Sequence, residues 1–304
     1  MRVLCIGRVS YDVSLPLPEF PQAGKKYENV TKIEGGSGSA GTAAYLLGRW
    51  GVESYIAGVI GNDLYGNRIK NEFENIGVFT KFLEINYEKD TIINYIINNE
   101  AQGSGITISG NSQDVKLTKP AFEMESPNGL LLDGYEYEAS INSLVRYKEA
   151  ISLINAHEAT KEELELCNKV SYIVCSYSFG EEVSGIKISF ENPTTLVQMY
   201  QALKNKFNKE IIVTLGEKGV LYALGSDVRI MPAIKVTSKD ATGAKDIFAG
   251  ALLYGILAGR KLEVAIKLAN ITAGLSTVNV GIKNSTFKIE EIETYAKNIN
   301  EPLY

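Results

Sequence analysis

The chain is nearly without histidine. His157 is the only one in 304 residues. A Ser-His-Asp or Cys-His mechanism would have to use it, and no nucleophile motif such as Gly-x-Ser-x-Gly is present. A histidine-based metal site is all but excluded by the same count, so no side-chain metal centre is expected. Cysteine is scarce as well. Cys5, Cys167 and Cys175 lie in or beside apolar runs at spacings that fit no zinc or redox motif, so buried free thiols in a reducing cytoplasm are expected. Neither sign of charge is in large excess. The net charge is −5 and no basic run exceeds two residues, which argues against nucleic-acid and anionic-membrane partners. No apolar stretch reaches the roughly 18 residues of a membrane-spanning helix. The start, Met1 to Gly7, reads as a strand rather than a signal peptide. Acid–base chemistry is left to the carboxylates.

Short apolar runs alternate with helical patterns for most of the length. Val3–Gly7, Tyr55–Gly61, Gly129–Gly134, Ala150–Ile154, Tyr172–Cys175 and Ile211–Thr214 read as buried strands. Both faces of these strands are apolar. The pattern predicts an α/β fold over residues 1–304, with one parallel sheet and helices on both sides. Residues 13–34 and 91–110 differ: their polarity alternates, as in exposed two-sided strands, and they could pair into a small separate sheet. Such strands need a cover, a physical reason to expect a dimer.

The chain is organised around Asp240-Ala-Thr-Gly-Ala-Lys-Asp246 and the apolar run that follows to Leu257. From Ala244 onward the apolar positions fit a helix buried on most sides. A helix N-terminus offers unpaired amides and a partial positive charge to an anion. Gly243 and Ala244 keep side chains small, so a phosphate could approach the backbone. Asp246, in the first turn, has two readings: a helix-dipole partner, or a general base for a hydroxyl that attacks a phosphoryl group. Elsewhere, Asp12 follows the first strand, where open sheets bind ligands. Gly35 and Gly36 open a glycine-dense turn. Thr214-Leu-Gly216-Glu-Lys-Gly219 reads as a tight hairpin, and Asn270 and Ala273 lie on a small-residue face of a late helix.

The stretch at 240–246 resembles the carboxy-terminal signature of the ribokinase-like (PfkB) carbohydrate kinases, Asp-Thr-x-Gly-Ala-Gly-Asp. It departs at Ala241 and at Lys245, where the family has glycine. The resemblance spans essentially the whole chain, with the motifs in family order. It implies a three-layer Rossmann-like (ribokinase-like) sheet with a small β lid from about 13–34 and 91–110. It implies ATP and Mg²⁺ as cofactors and a sugar hydroxyl as acceptor. Asp246 would be the catalytic base, and the amides of Gly243, Ala244, Lys245 and Asp246 the anion hole. Asp12, Gly35, Gly36 and Asp240 would hold the sugar. Thr214, Gly216, Gly219, Asn270 and Ala273 would border the nucleotide, and a homodimer would form through the lid. The family's sugar-binding Asn after the glycine pair is absent, for no Asn occurs from Glu34 to Gly61. The family's Asn-x-x-Glu has the spacing of Asn155 to Glu158, but the better-matching segment reads Ser176 to Phe179. A nucleoside kinase of the same fold, and a catalytically weak sugar- or nucleotide-binding homologue, stay open as alternatives.

Overall fold

In the computed structural model, residues 1–99, 101, 103–110 and 115–303 are described. Among them the strands are β1 (Arg2–Ile6), β2 (Ser10–Leu17), β3 (Ile33–Ser37), β4 (Glu53–Gly61), β5 (Phe79–Asn86), β6 (Ile93–Asn99), β7 (Ser104–Gly110), β8 (Gly129–Leu132), β9 (Ile151–Ala156), β10 (Tyr172–Ser176), β11 (Glu210–Thr214), β12 (Val220–Leu224) and β13 (Asp227–Met231). The helices are α1 (Ser39–Arg49), α2 (Leu64–Asn75), α3 (Tyr137–Arg146), α4 (Lys161–Lys169), α5 (Tyr177–Ser184), α6 (Pro193–Phe207), α7 (Ala244–Leu257), α8 (Leu262–Ser276), α9 (Ile282–Ser285) and α10 (Ile289–Asn298).

The large sheet runs β13-β12-β11-β10-β9-β8-β1-β4-β5. From β11 to β5 every pairing is parallel; β12 and β13 add an antiparallel edge. Alternate residues of each strand feed two cores. Val3 and Cys5 pack with α1, α7 and α8, while Leu4 and Ile6 pack with α3, α4 and α6 on the other face. This is why the central strands are apolar throughout. The chain winds from β1 outward to β4 and β5, then returns to β8 on the other side of β1. Loops diverge where the winding reverses and leave a crevice at the carboxyl ends of the strands.

A second sheet, β3-β2-β6-β7, brings the two alternating stretches together, with β2 parallel to β6. Its strands cover parts of the expected 13–34 and 91–110. Glu100 and Gln102, inside the second stretch, lie outside the described residues. No helix among the described residues is long and apolar enough to cross a membrane. Cys5, Cys167 and Cys175 are buried and free, and burial pushes the Cys5 thiol up to about 12.

Candidate active site

α7 begins where the sequence pattern puts it. Gly243 is its N-cap with φ 73°, a left-handed conformation that glycine adopts without strain. Asp240 sets up this turn. Its Oδ1 accepts the Thr242 amide at 2.9 Å and its Oδ2 accepts the Gly281 amide at 3.1 Å. Both carboxylate oxygens of Asp240 therefore hold backbone. The Ala244 amide is used locally, donating to the Ala241 carbonyl at 3.2 Å. Among the described residues no acceptor takes the amides of Gly243, Lys245 or Asp246. Three N–H groups stand open at the positive end of a 14-residue helix.

Asp246 lies beside them, and its surroundings come from α1, from β9 and from the residue that follows β9. Ser39 Oγ, at the start of α1, donates to Asp246 Oδ1 at 2.8 Å. Asn155 Nδ2, near the end of β9, donates to the same oxygen at 2.7 Å and also to Ser39 Oγ at 3.0 Å. Oδ2 accepts no hydrogen bond among the described residues. His157 Nε2 lies 3.0 Å from Ser39 Oγ, and Lys245 Nζ lies 3.1 Å from His157 Nδ1. The Lys245 ammonium also donates to the Ala156 carbonyl at 2.7 Å. Its head is thus tied to the end of β9. Burial lowers the Lys245 pKa, against the pull of Asp246. Burial, then the Lys245 and Arg8 charges, lower His157 to about 4. A neutral imidazole that accepts from lysine at Nδ1 carries its proton on Nε2, directed at Ser39.

Asp12 lies on β2, paired with Gly35 of β3 and with Asn94 of β6. Asn94 Nδ2 donates to Asp12 Oδ1 at 2.8 Å. Burial raises the Asp12 pKa; hydrogen bonds from Ser37 and Asn94 oppose the rise, and the Asp246 and Asp240 charges add to it. The two sheets therefore bring Asp12 and Asp246 within electrostatic reach. The Gly36 amide donates to Glu72 Oε2 at 2.7 Å, fixing the glycine pair to α2.

A cavity of about 620 Å³ opens beside this cluster, lined by Ser39, His157, Arg8, Tyr135 and Glu163 among others. Two buried carboxylates frame it. Asp133, after β8, accepts from the amides of Arg8, Ala40 and Tyr135. Glu163 accepts from the amides of His157 and Glu158, and burial pushes it up to about 7. Of these groups, sequence reasoning weighed Asn155 for a different role and passed over Ser39, Asp133 and Glu163. Their partners lie far away in the chain, and no local spacing marks them.

Thr214 ends β11, and residues 216–218 form a 3₁₀ turn into β12, so the glycine motif is a hairpin. Gly219 has φ 105°, and a Cβ there would sit 2.0 Å from the Met231 carbonyl. Asn270 reaches the same segment: its Nδ2 donates to the Pro232 carbonyl at 2.7 Å. Gly219 and Asn270 are thus brought to one place. Ala273 lies one turn further along α8, partly exposed. Ser176 caps α5, and Phe179 is buried in the core.

The sequence pattern of the pfkB family carbohydrate kinases matches residues 1–288. The chain belongs to the pfkB family. Its members are phosphotransferases that act on sugar hydroxyls. A ribokinase of Lactococcus lactis is 28% identical over all of this chain and 99% of its own length. The ribokinase of Thermotoga maritima superposes with a TM-score of 0.81 at 22% identity, covering 98% of this chain and 99% of that one. An Arabidopsis thaliana ribokinase, solved with ribose and ATP, superposes at 0.78 with 18% identity, covering 97% and 98%. At these identities the structural likeness concerns the fold: this pfkB member shares the ribokinases' α/β fold.

Proposed function

We propose that this member of the family transfers the γ-phosphoryl of ATP to a hydroxyl of a sugar, with Asp246 as the general base. The asymmetry of one carboxylate carries the assignment. Oδ1 is held by Ser39 and Asn155, while Oδ2 is unclaimed and free to take a proton. The attacking oxygen loses its proton to Oδ2 as it joins the phosphorus in line with the departing ADP oxygen. Charge on the transferring group is met by the open amides of Gly243, Lys245 and Asp246 and by the dipole of α7. Lys245 acts by tying this helix end to β9.

Asp12, with Gly35 and Gly36, faces the acceptor from the second sheet. Asp240 serves the site by clamping the turn that carries Gly243. The hairpin at Thr214, Gly216 and Gly219, with Asn270 and Ala273 on α8, borders the nucleotide. The Arabidopsis relative, with ATP bound to the same fold, supports ATP as donor. Amides without acceptors fit a phosphate chain. Magnesium, a hard cation that keeps several waters, is carried by such phosphates and neutralises their charge when bound. The second sheet acts as a lid that excludes water on closing. It is also the dimer contact: Tyr95, Ile106 and Ile108 share one of its faces and are 43%, 48% and 54% exposed. The three free thiols suit the cytoplasm.

The test is ADP formation from ATP with pentoses, hexoses, their monophosphates and sugar acids, and nucleosides as acceptors. Turnover with at least one sugar is expected. Turnover with nucleosides alone would move the chain to the alternative acceptor class, and ATP use with none would contradict the proposal.

A further inference from the structure

One cation in the cavity beside the Asp246 cluster makes no ion pair among the described residues. Arg8 follows β1 at the point where the winding of the sheet reverses. Its amide and that of Tyr135 are both held by Asp133, at 2.7 and 2.9 Å. A single buried carboxylate therefore fixes two residues at neighbouring strand ends. The Arg8 guanidinium lies over the Tyr135 ring, 4.5 Å from its centroid. No hydrogen bond or ion pair to a described residue takes it. Its Nε is buried without a partner, and so is the Tyr135 hydroxyl. Buried polar atoms are normally satisfied, so a pair left this way calls for an explanation.

Arg8 and Tyr135 line the same cavity as Ser39 and His157, which adjoin Asp246. The Arg8 charge also reaches His157, helping to keep the imidazole neutral. The other charges in the wall do not cancel it. Asp133 and Glu163 are turned into backbone amides. Glu158 and Glu162 are exposed at the rim, where water screens them. Lys116 is bonded to the Tyr135 carbonyl at 2.6 Å and lies over the same ring, 3.3 Å from its centroid. The cavity volume lies within the roughly 300–1,000 Å³ of small-molecule sites, room for more than a bare monosaccharide ring.

We propose that Arg8, stacked on Tyr135, binds an anionic group carried by the acceptor away from the hydroxyl that Asp246 deprotonates. The substrate class is then an acidic sugar, either a sugar monophosphate or a sugar acid. A planar guanidinium offers paired N–H donors that match two oxygens of a phosphate or carboxylate. Stacking on the ring orients the fork before the ligand arrives. A neutral sugar would leave the guanidinium without an acceptor once the lid excludes water, which disfavours it. This refines the kinase assignment above and rests on it for the reaction, while the anion site itself can be read by binding alone.

The experiment compares neutral hexoses with their monophosphates and their carboxylate counterparts, in ADP formation and in titration calorimetry. Wild type, Arg8→Gln and Arg8→Lys are used, each checked for a cooperative unfolding transition. For wild type we expect kcat/KM at least about 10-fold higher with one acidic class than with the neutral sugar, the size of one charged hydrogen-bond pair. In Arg8→Gln that ratio collapses towards one, and in Arg8→Lys it falls part-way because charge remains but the fork is lost. The phosphate and carboxylate arms identify which anion is used. Equal or better turnover of neutral sugars, with a ratio insensitive to Arg8→Gln, would overturn the anion site and leave the kinase assignment standing. Binding of an acidic sugar that weakens about 10-fold in Arg8→Gln, with no turnover of any acceptor, would keep the site and reject the kinase.

Discussion

Glu163 gives the site a pH signature. Its folded pKa is about 7 against an ordinary 4.5, because burial outweighs the two amides that face it. The folded chain thus holds a proton that the unfolded chain has lost between those values. This stabilisation is complete below 4.5 and disappears as pH rises through about 7. The displacement corresponds to on the order of 3 kcal/mol. Urea denaturation of wild type and Glu163→Gln from about pH 4 to about pH 8 should show wild type losing stability relative to the variant as pH rises. A difference constant with pH would show that Glu163 titrates at its ordinary value in the folded chain. At this scale the sequence was legible only where a residue sits on a strong local pattern. Asp246 could be read from the turn and the apolar run behind it. Asn155 and Ser39, which hold its Oδ1, could not, because they meet Asp246 only when β9, α1 and α7 pack together. The sequence showed Lys245 only as a departure from the family's glycine and left its side chain without a fixed role; its ammonium is bonded to Ala156 and His157.

Among elements, α7 was the most legible, since 14 residues from Ala244 to Leu257 carry one uninterrupted apolar pattern. β9 extends two residues beyond the run read from the sequence, through Asn155 and Ala156, so a polar side chain ends a buried strand. β5, α6 and β13 were not anticipated. α6 carries a signal that would have served, with Asn192 as cap, Pro193 in its first turn and Leu196, Met199, Tyr200, Leu203 and Phe207 along one face. The entry to α7 is the element-scale weak point. Gly243 has φ 73°, and a Cβ there would lie 2.4 Å from Ile282 Cδ1. Gly243→Ala should cost about 1–3 kcal/mol in stability, from left-handed strain plus the displaced isoleucine. Turnover should fall by more than about tenfold, because the amides of the proposed anion site shift with the turn. Unfolding and kcat measured on the same preparation check both, and unchanged values would mean that the turn tolerates a side chain.

On the scale of the whole molecule, alternation of apolar strands and helices made the large sheet readable, and its doubly apolar strands set its three layers. The second sheet was readable as two stretches of alternating polarity, but β2 and β6 are largely buried where exposed strands were expected, and the register was not legible, since β2 to β6 pairing spans most of the amino-terminal half. The dimer proposed above uses its outer face, where Tyr95, Ile106 and Ile108 are exposed. Ile108→Lys should shift sedimentation from dimer to monomer by placing a charge in an apolar contact. A wild-type monomer, or a variant that stays dimeric, would rule out that face. The central claim concerns a proton and a phosphoryl group meeting at Asp246. It is tested most directly by the rate of sugar phosphate formation in wild type and Asp246→Asn, with unfolding midpoints compared alongside. The expected result is a loss of about 10²–10⁴-fold or more in kcat with the midpoint retained. Turnover by Asp246→Asn within a few-fold of wild type would contradict it.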